Sequence, residues 1–373
     1  MKIAIKQNIL MEHLNYVIKG ISNKNLIPIL NCIKFDLKKE GLYLMSTDNE
    51  IAIKTFIDKN QIDNIEELGA VVVSGRYIYD IIRKLPNEVI NIEELVDSKI
   101  TIYTNESSFN LNCNNVNEFP DLELEDHKQP IIIKQNEFKD IINQTSFATS
   151  NQESRPVLTG INFKIENDLL ECTATDSYRL AKKNIKLSEA VIESINIIIP
   201  TKNLIELIRL FSGEEGMLEL HIFNNKIIFK LDSIILMSRL INGTYPDTSK
   251  LIPSEFTLKI KIGLNNLYNA IDRASLLTNE ADKNTIKLES NDQQLIISSN
   301  IPEIGNVEEK IIGLKNNQTN IKIAFSSKYM LEALKSLNCD EVELLFNGEI
   351  KPIIVKNPSD DNLIQLILPI RTY

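Results

Sequence analysis

Six basic residues recur at two equivalent positions in three stretches of the chain, and their spacing suits contact with a polyanion. The first set is Arg76, Lys202 and Lys328, each 126 residues from the next, and the second is Arg83, Arg209 and Lys335 at the same interval. Seven residues, about two helical turns, separate the two cations of a stretch, so each pair shares a helix face. Ordinary solvated helix faces carry such charges too, and recurrence in an acidic chain makes a shared basic surface an equal alternative. If the three stretches are arranged about an axis, that surface would face inward and would suit a polyanion passing through the middle.

A second group of residues has the types that an enzyme site would use. Asp176, Tyr178 and Arg179 would provide an acid, a phenol and an anion clamp. No glycine-rich phosphate loop, GxSxG or HExxH motif or histidine pair accompanies them. Asp176 more commonly caps a turn, and Arg179 more commonly pairs with a neighbouring carboxylate. An enzyme that uses Asp176 and Arg179 is therefore an alternative interpretation and not the main one.

The cysteines and histidines are too scattered to predict a metal site or a disulfide framework. They are Cys32, Cys113, Cys172 and Cys339, with no CxxC, and His13, His127 and His221. Isolated thiols are typical of a reduced, cytoplasmic protein. The N-terminal stretch has no apolar signal core, and no run approaches the roughly 18 apolar residues of a membrane span. We expect a cytoplasmic chain without cofactor, metal or membrane contact.

The elements that must position these residues follow from a threefold repeat. Thr47-Asp48 recurs as Thr175-Asp176, and Phe119-Pro120-Asp121 recurs as Tyr245-Pro246-Asp247. A third copy is indicated by the similar segments at 73–77, 199–203 and 325–329, which are successively 126 residues apart. A period near 126 exceeds the 20 to 50 residues or so of solenoid repeats, so each copy is predicted to fold as a domain. The predicted domains are 1–124, 125–250 and 251–373, with polar, proline-bearing linkers near 122–130 and 248–256.

Each copy has the pattern of a mixed α and β domain. A short strand leads into a first helix, predicted over 8–20, 136–147 and 264–277. Strands with alternating apolar residues follow, and a second helix is predicted over 75–85, 201–211 and 327–337. Apolar residues at i, i+4 and i+7 of the second helix form a buried stripe, and the cations lie beside it. The predicted fold class is α+β, with the order β-α-β-β-β-α-β-β-β in three tandem similar domains.

Composition agrees with several globular domains and opposes a protein that is basic overall. The 373 residues are 43% hydrophobic and 25% charged, which is enough to bury several cores. The formal net charge is −10, whereas nucleic-acid-binding domains are commonly basic. The acid excess leaves room for a local basic surface, because screening acts over about 8 Å at physiological salt.

The segment Thr175-Asp176-Ser177-Tyr178-Arg179-Leu180-Ala181 resembles the TDxxRLA motif of the bacterial sliding clamps, the β subunits of DNA polymerase III. Further matches run along the chain: LIPIL at 26–30, EFPD at 118–121, Tyr245-Pro246-Asp247, and Leu368-Pro369-Ile370-Arg371 near the C-terminus. The length and the threefold repeat agree as well. The motif alone would be weak, but the combination is specific.

This resemblance implies a DNA-clamp fold and a head-to-tail homodimer that closes a ring of six similar domains, with helices around the hole and sheets outside. Duplex DNA would thread the ring without sequence recognition. Such a clamp catalyses nothing and acts as a processivity factor in DNA replication, because it tethers the replicative polymerase to its template. A protein-binding scaffold that does not bind DNA is the second alternative.

The resemblance also implies a pocket between the second and third domains. It would bind short linear motifs of the replicative DNA polymerase, the clamp loader and repair proteins. The corresponding residues are Arg155, Leu158, Thr175, Ser177, Tyr178, Arg179, Leu180, Pro246, Leu251, Pro352, Leu368, Pro369, Ile370 and Arg371. Apolar walls would take leucine or phenylalanine anchors. Family members often have Gly-His at the Ser177-Tyr178 positions, and Thr372-Tyr373 extends this chain.

The resemblance also implies which further residues contact DNA and which form the ring interface. Lys24 and Gln152 would contact duplex DNA from inner loops, alongside the six helix cations. The ring interface would join the strand around Phe109 and Leu111 of one chain to Leu276 and Leu277 of the other, with Glu303, Glu308 and Glu309 nearby. Taken without the resemblance, Phe109 and Leu111 are more typical of ordinary strand core than of an interface.

Overall fold

The computed structural model describes residues 1–22, 26–96, 98–125, 129–211, 213, 216–253, 255–291 and 294–371. Lys24 and Thr372-Tyr373 lie outside the described residues. The chain forms two compact units, and neither coincides with one sequence copy. The first comprises Met1–Asn136 with Glu206–Leu240, and the second comprises Glu137–Ile205 with Ile241–Tyr373. The second copy therefore contributes to both units.

The described part of the first copy contains two amphipathic helices and nine strands. Its helices are α1 (Gln7–Val17) and α2 (Gly75–Lys84). Its strands are β1 (Lys2–Lys6), β2 (Cys32–Lys38), β3 (Gly41–Thr47), β4 (Ile51–Asp58), β5 (Asn64–Glu67), β6 (Gly69–Ser74), β7 (Val89–Leu95), β8 (Lys99–Tyr103) and β9 (Ser108–Asn114). Alternation explains β2, where Phe35 and Leu37 are buried while the residue between them is half-exposed.

The second copy repeats this plan with α3 (Gln135–Thr145) and α4 (Thr201–Ile208). Its strands are β10 (Ile131–Lys134), β11 (Gly160–Glu166), β12 (Leu169–Thr175), β13 (Arg179–Lys186), β14 (Ile195–Pro200), β15 (Met217–Ile222), β16 (Lys226–Leu231) and β17 (Ile234–Arg239). α4 ends at Ile208, where the Leu210 amide turns back to the Leu207 carbonyl at 2.9 Å. The predicted extension to residue 211 is therefore wrong, and Arg209 follows the helix.

The third copy contains α5 (Leu264–Ser275) and α6 (Ser327–Lys335). Its strands are β18 (Leu258–Gly263), β19 (Thr285–Asn291), β20 (Gln294–Ile301), β21 (Gly305–Ile312), β22 (Leu314–Lys315), β23 (Lys322–Ser326), β24 (Glu341–Phe346), β25 (Ile353–Lys356) and β26 (Leu363–Ile367). Its core joins the apolar faces of both helices to these strands, through residues such as Ile271, Phe325 and Met330. The apolar stripe predicted for α6 is thereby confirmed.

Each unit is organised around continuous antiparallel sheets. The first unit has one sheet in the order β10-β15-β16-β17-β4-β3-β2-β6-β9-β8-β7-β1-β5. The second unit has a sheet in the order β14-β11-β12-β13-β26-β25-β24-β18-β22 and a smaller one in the order β21-β20-β19-β23. The α+β class and the threefold repeat are confirmed. The strand count needs correction, because four or five described strands, not three, separate the two helices of each copy.

The same strand pair joins consecutive copies in both large sheets. In the first unit β4 pairs with β17, the last strand of the second copy, with Ile51 opposite Ser238. In the second unit β13, the equivalent of β4, pairs with β26, the last strand of the third copy, with Arg179 opposite Ile367. These pairs extend the sheets across the copy boundaries, which explains why the units and the copies differ.

Candidate functional site

The recurring Thr-Asp pair forms the same hydrogen-bonded turn in two copies. The Asp176 Oδ1 atom accepts hydrogen bonds from the amides of Tyr178 and Arg179 at 2.9 and 3.0 Å, and the Thr175 hydroxyl donates to the Arg179 carbonyl at 2.6 Å. Ser177 adopts a φ of 78°, in the left-handed region that short polar residues tolerate. Asp48 accepts from the amides of residues 50 and 51 in the same way. The motif is thus explained by turn geometry.

Arg179 is the most constrained side chain of this turn. It is only 8% exposed, and its Nε donates to the Asp176 Oδ2 atom at 3.0 Å while its Nη1 donates to the Glu332 carboxylate on α6. The guanidinium centre lies 4.4 Å from the ring centroid of Tyr329 and 5.3 Å from that of Phe147. Two carboxylates and two rings therefore hold the cation that follows the turn, and they connect β13 to α6.

Two partly buried tyrosines complete the surroundings of the turn. The Tyr245 hydroxyl accepts a hydrogen bond from the Thr175 amide at 3.0 Å, and burial raises the pKa of Tyr245. Burial, together with the nearby Asp176 carboxylate, also raises the pKa of Tyr329. Both phenols therefore stay neutral near pH 7 and act as packing and hydrogen-bonding groups.

These contacts bear on the alternative interpretation in which Asp176, Tyr178 and Arg179 form an enzyme site. The Asp176 carboxylate accepts hydrogen bonds from two backbone amides and from Arg179, so its oxygens already have partners within the turn. The positive charge of Arg179 is already offset by two carboxylates within the chain, so an external anion would have to compete with them. Tyr178, by contrast, is 55% exposed. The three side chains therefore do not form one reactive group.

The walls of the predicted pocket combine buried and exposed apolar side chains. Leu158 and Leu180 are buried, and Leu180 packs with residues of β24, β25 and β26. Tyr178, Leu251 and Leu368 expose about a third to a half of their surface. Exposed apolar groups above a buried apolar floor are typical of sites that bind peptide anchors.

Loops around the turn bring further predicted residues together. The Arg155 Nη1 atom donates to the Ser177 hydroxyl at 3.2 Å. Gly243 has a φ of 140°, and a Cβ there would lie 2.6 Å from a methyl carbon of Val157, so the loop before Pro246 packs tightly beside Leu158. Arg155, Leu158, the 175–180 turn and Pro246 therefore belong to one region.

The segment after β26 completes that region and also lines a groove. The Leu368 amide donates to the Tyr178 carbonyl at 2.9 Å, and Pro352 lies beside Leu368 because Ile353 pairs with Ile367. Ile370 and Arg371 line a groove of about 590 Å³ with Leu277. The other predicted pocket residues, all of which are described, are not among the residues that line this groove.

Sequence reasoning does not identify Glu332, Tyr329 and Phe147 as neighbours of Arg179. Glu332 lies 153 residues after Arg179, so no local spacing indicates the contact. One feature of the sequence does single out Glu332: it recurs with Asp80 and Glu206 at the same repeat position, each 126 residues from the next. Each of these carboxylates precedes a predicted DNA-contacting cation by three residues.

Removal of the Arg179 charge tests the role of this cluster in stability. Arg179→Met should lower the free energy of unfolding by about 3 kcal/mol, because two carboxylates lose a largely buried partner. Arg155→Met is the matched control, since Arg155 is exposed and should change stability by less than about 0.5 kcal/mol. Urea denaturation measures both variants. Equal stability of the two would contradict a structural role for Arg179.

The six recurring cations, five on the second helices and Arg209 just after α4, are all exposed, but their local partners differ. The Arg83 Nη2 atom pairs with Asp80 at 2.9 Å, and the Arg209 Nη1 atom pairs with Glu206 at 2.6 Å. Lys202 is exposed near the start of α4. Within the described residues, Arg76, Lys328 and Lys335 form no ion pair. Gln152, the further predicted DNA contact, is exposed in the loop after α3, where its backbone amide donates to the Ser150 hydroxyl at 3.1 Å.

The predicted interface residues lie on or near strand edges that are at least partly open. Phe109 is 39% exposed on β9, and Leu111 is half-buried there. Leu276 follows α5 and is 79% exposed, Leu277 is half-buried, and Glu303 is exposed in the turn before β21. On β21, Glu309 accepts a bidentate ion pair from Arg273 of α5, at 2.9 and 2.6 Å. Phe109 is thus not part of a closed core.

Two general features of the described part of the chain limit the kinds of site it contains. Its histidines, cysteines and carboxylates form no cluster of three or more that could hold a metal ion. None of its helices is both long enough and apolar enough to cross a membrane.

Sequence models of the DNA polymerase III beta subunit match the chain over nearly its whole length. The N-terminal domain matches residues 1–123, the central domain 132–247 and the C-terminal domain 249–371. The three models follow one another along the chain, which confirms three tandem similar domains. The resemblance inferred from the TDxxRLA motif is confirmed.

Individual relatives agree with the family models. The chain is 41% identical over 377 residues to the beta sliding clamp of Staphylococcus aureus, with all of both chains covered. It is also similar to the crystal structure of the DNA polymerase sliding clamp from Bacillus subtilis, at 37% identity and a TM-score of 0.96 over all of both chains. The DNA polymerase III beta chain of Streptococcus pneumoniae has 31% identity and a TM-score of 0.95, again over all of both chains.

Proposed function

Because the chain belongs to the DNA polymerase III beta subunit family, the sliding clamps, we propose that it encircles duplex DNA and tethers a replicative polymerase to it. Two chains would associate head to tail into a ring of six similar domains. The domain bounds 1–124, 125–250 and 251–373 belong to this proposal.

One structural observation carries the proposal. In each of the first two copies, the third strand after the first helix pairs with the last strand of the following copy: β4 pairs with β17, and β13 pairs with β26. Among the described strands, two at the equivalent positions lack such a partner. They are β21, the third strand after the first helix of the third copy, and β9, the last strand of the first copy. β21 is the edge of its sheet, and β6 pairs with β9 only at Cys113 and Asn114. A second chain whose β9 pairs with β21 of the first chain, and the reverse, would repeat the same junction twice and close the ring.

The side chains at these two edges suit such a junction. Phe109 and Leu111 alternate along β9, and Leu276 and Leu277 follow α5, which packs on the sheet that contains β21. Large apolar groups such as Leu276 are removed from water when a partner covers them, and this favours association. Glu303 and Glu308 would lie at the polar rim.

Contact with DNA would be weak and independent of sequence. The proposed contacts are Lys24, Arg76, Arg83, Gln152, Lys202, Arg209, Lys328 and Lys335. Long basic side chains contact phosphates, which carry no sequence information. A clamp must slide, so a few screened contacts on an acidic chain suit it better than a tight grip, which would give a steep dependence on salt.

The partner pocket would bind short linear motifs of the replicative DNA polymerase, the clamp loader and repair proteins. Leu158 and Leu180 would form its floor, while Tyr178, Leu251 and Leu368 would close over the anchors. The exposed Arg155 could pair with an acidic group of the motif. The clamp would act in the cytoplasm and would catalyse no reaction itself, which agrees with the occupied state of Asp176.

Topology provides the decisive test. The dimer, loaded onto a nicked circular plasmid, should stay bound during gel filtration in high salt and should be lost when the plasmid is linearised. Only a closed ring depends on DNA ends, because linearisation leaves every phosphate contact intact. Equal retention on both forms would contradict the proposal, and absence of any retention would favour a scaffold that does not bind DNA.

A further inference from the structure

The three second helices carry a carboxylate at the same repeat position, but only two of these carboxylates neutralise the following cation. Asp80 pairs with Arg83, and Glu206 pairs with Arg209, each three residues later. Glu332 occupies the equivalent position before Lys335. It pairs instead with Arg179, a residue of the partner pocket.

The contacts of Arg179 explain why Glu332 stays with it. A guanidinium held by Asp176 through Nε and packed against Tyr329 and Phe147 presents its Nη1 donor to Glu332 of α6 in a fixed position. An exposed lysine would offer a single charge on a flexible stem, so it competes poorly for the carboxylate. Lys335 accordingly has no ion pair within the described part of the chain, and the same is true of Lys328.

We propose that Arg179, by holding the Glu332 carboxylate, leaves Lys335 available and makes α6 the strongest phosphate contact of the three second helices. The inference rests on the proposed function, which places these helices against DNA. Arg179 is then a positioning residue for DNA contact as well as a part of the partner pocket. It links the two sites through one shared carboxylate.

The surroundings of Lys335 fit this role. Lys328 and Lys335 line an open groove of about 420 Å³ between α5 and α6, together with polar side chains such as Ser327 and Thr278. Glu280 and Glu332 also line it. Glu280 opposes an anion there, and Glu332 opposes it less, because its carboxylate is held by Arg179, whose single charge it shares with Asp176. Among the described groove residues a phosphate would therefore meet two lysines, the Glu280 carboxylate and a Glu332 carboxylate that is partly neutralised.

Neutral variants of the three carboxylates test the proposal without removal of a buried group. Asp80→Asn and Glu206→Gln release Arg83 and Arg209, so each should steepen the slope of log affinity against log salt by about 0.9 for every additional phosphate that is neutralised. Glu332→Gln should leave that slope unchanged, because Lys335 is already unpaired. Fluorescence anisotropy of a labelled duplex oligonucleotide, titrated with the dimer between about 50 and 200 mM salt, measures each slope.

Cation variants provide the complementary measurement. Lys335→Gln should flatten the slope by about 0.9, since one phosphate is no longer neutralised, whereas Arg83→Gln and Arg209→Gln should change it by less than half as much. Arg179→Gln frees Glu332 to pair with Lys335 and should reproduce Lys335→Gln. The double variant Arg179→Gln/Glu332→Gln should restore the original slope, a rescue that mere loss of stability would not give.

The proposal is overturned if Glu332→Gln steepens the salt slope as much as the other two carboxylate variants do. It is also overturned if Arg83→Gln flattens the salt slope as much as Lys335→Gln does. Failure of the proposed function has a different signature. In that case the wild-type dimer would show no retention on the nicked circle, or none of the three variants Lys335→Gln, Arg83→Gln and Arg209→Gln would alter the slope.

Discussion

Leu276→Asp should convert a dimer of roughly 85 kDa, twice the 42.5 kDa chain, into a monomer. Leu276 is 79% exposed in the single chain, so the aspartate is tolerated before association. In the ring interface it would be an unpaired charge among apolar side chains, which weakens association by several kcal/mol, or more than about 100-fold. Sedimentation equilibrium measures the change.

Ile192→Asp is the matched control for this prediction. Ile192 is 99% exposed on a loop and has no place in the proposed ring interface, so the same substitution there should leave the mass unchanged. Because an opened ring cannot stay on circular DNA, Leu276→Asp should also abolish retention on the nicked plasmid. A dimer that survives Leu276→Asp would show that the interface lies elsewhere.

Leu251→Asp combined with Leu368→Asp should abolish the binding of short peptides with leucine and phenylalanine anchors. Both leucines are more than a third exposed, so the chain should still fold. A charge on each apolar wall leaves the anchors without a dry surface to pack against, and affinity should fall by more than about 100-fold. Fluorescence polarisation of labelled peptides measures the loss.

Side-chain substitution is a cleaner test here than removal of the C-terminal segment. The Leu368 amide bonds the Tyr178 carbonyl, and the Ile370 amide bonds the Ala324 carbonyl at 2.7 Å, so truncation would also disturb the turn and β23. Dimer mass and DNA retention should be unaffected in the double variant, and Ile192→Asp should bind peptide normally. Undiminished peptide affinity would contradict the assigned pocket.

The fold is largely predictable because the sequence repeats. The 126-residue register locates both helices of each copy, since apolar residues such as Ile78, Leu204 and Met330 coincide at the centre of the second helix. The end of α4 at Ile208 is not predictable in this way, because apolar residues continue to Phe211 although the backbone has turned. The strand count escapes prediction because short strands such as β5 and β22 carry no clear alternation.

The site is less predictable, since its decisive contacts join residues far apart in the chain. The TDxxR motif indicates a turn and a paired arginine, but nothing local to Arg179 indicates Glu332 or Tyr329. The exposed leucines of the pocket follow from the resemblance and not from any spacing. The i,i+3 spacing allows the pairs of Arg83 with Asp80 and of Arg209 with Glu206, but it does not decide them, because Glu332 and Lys335 have the same spacing and Glu332 pairs with Arg179.

The contribution of the second copy to both units has a consequence for synthesis on the ribosome. The first unit includes Glu206–Leu240, so the nascent chain cannot complete it until residue 240 has emerged. Until then β4 presents an open edge to other chains, a state that invites aggregation. Chaperone demand during translation should therefore peak before β17 is made, and a fragment that stops after the first copy should be poorly soluble.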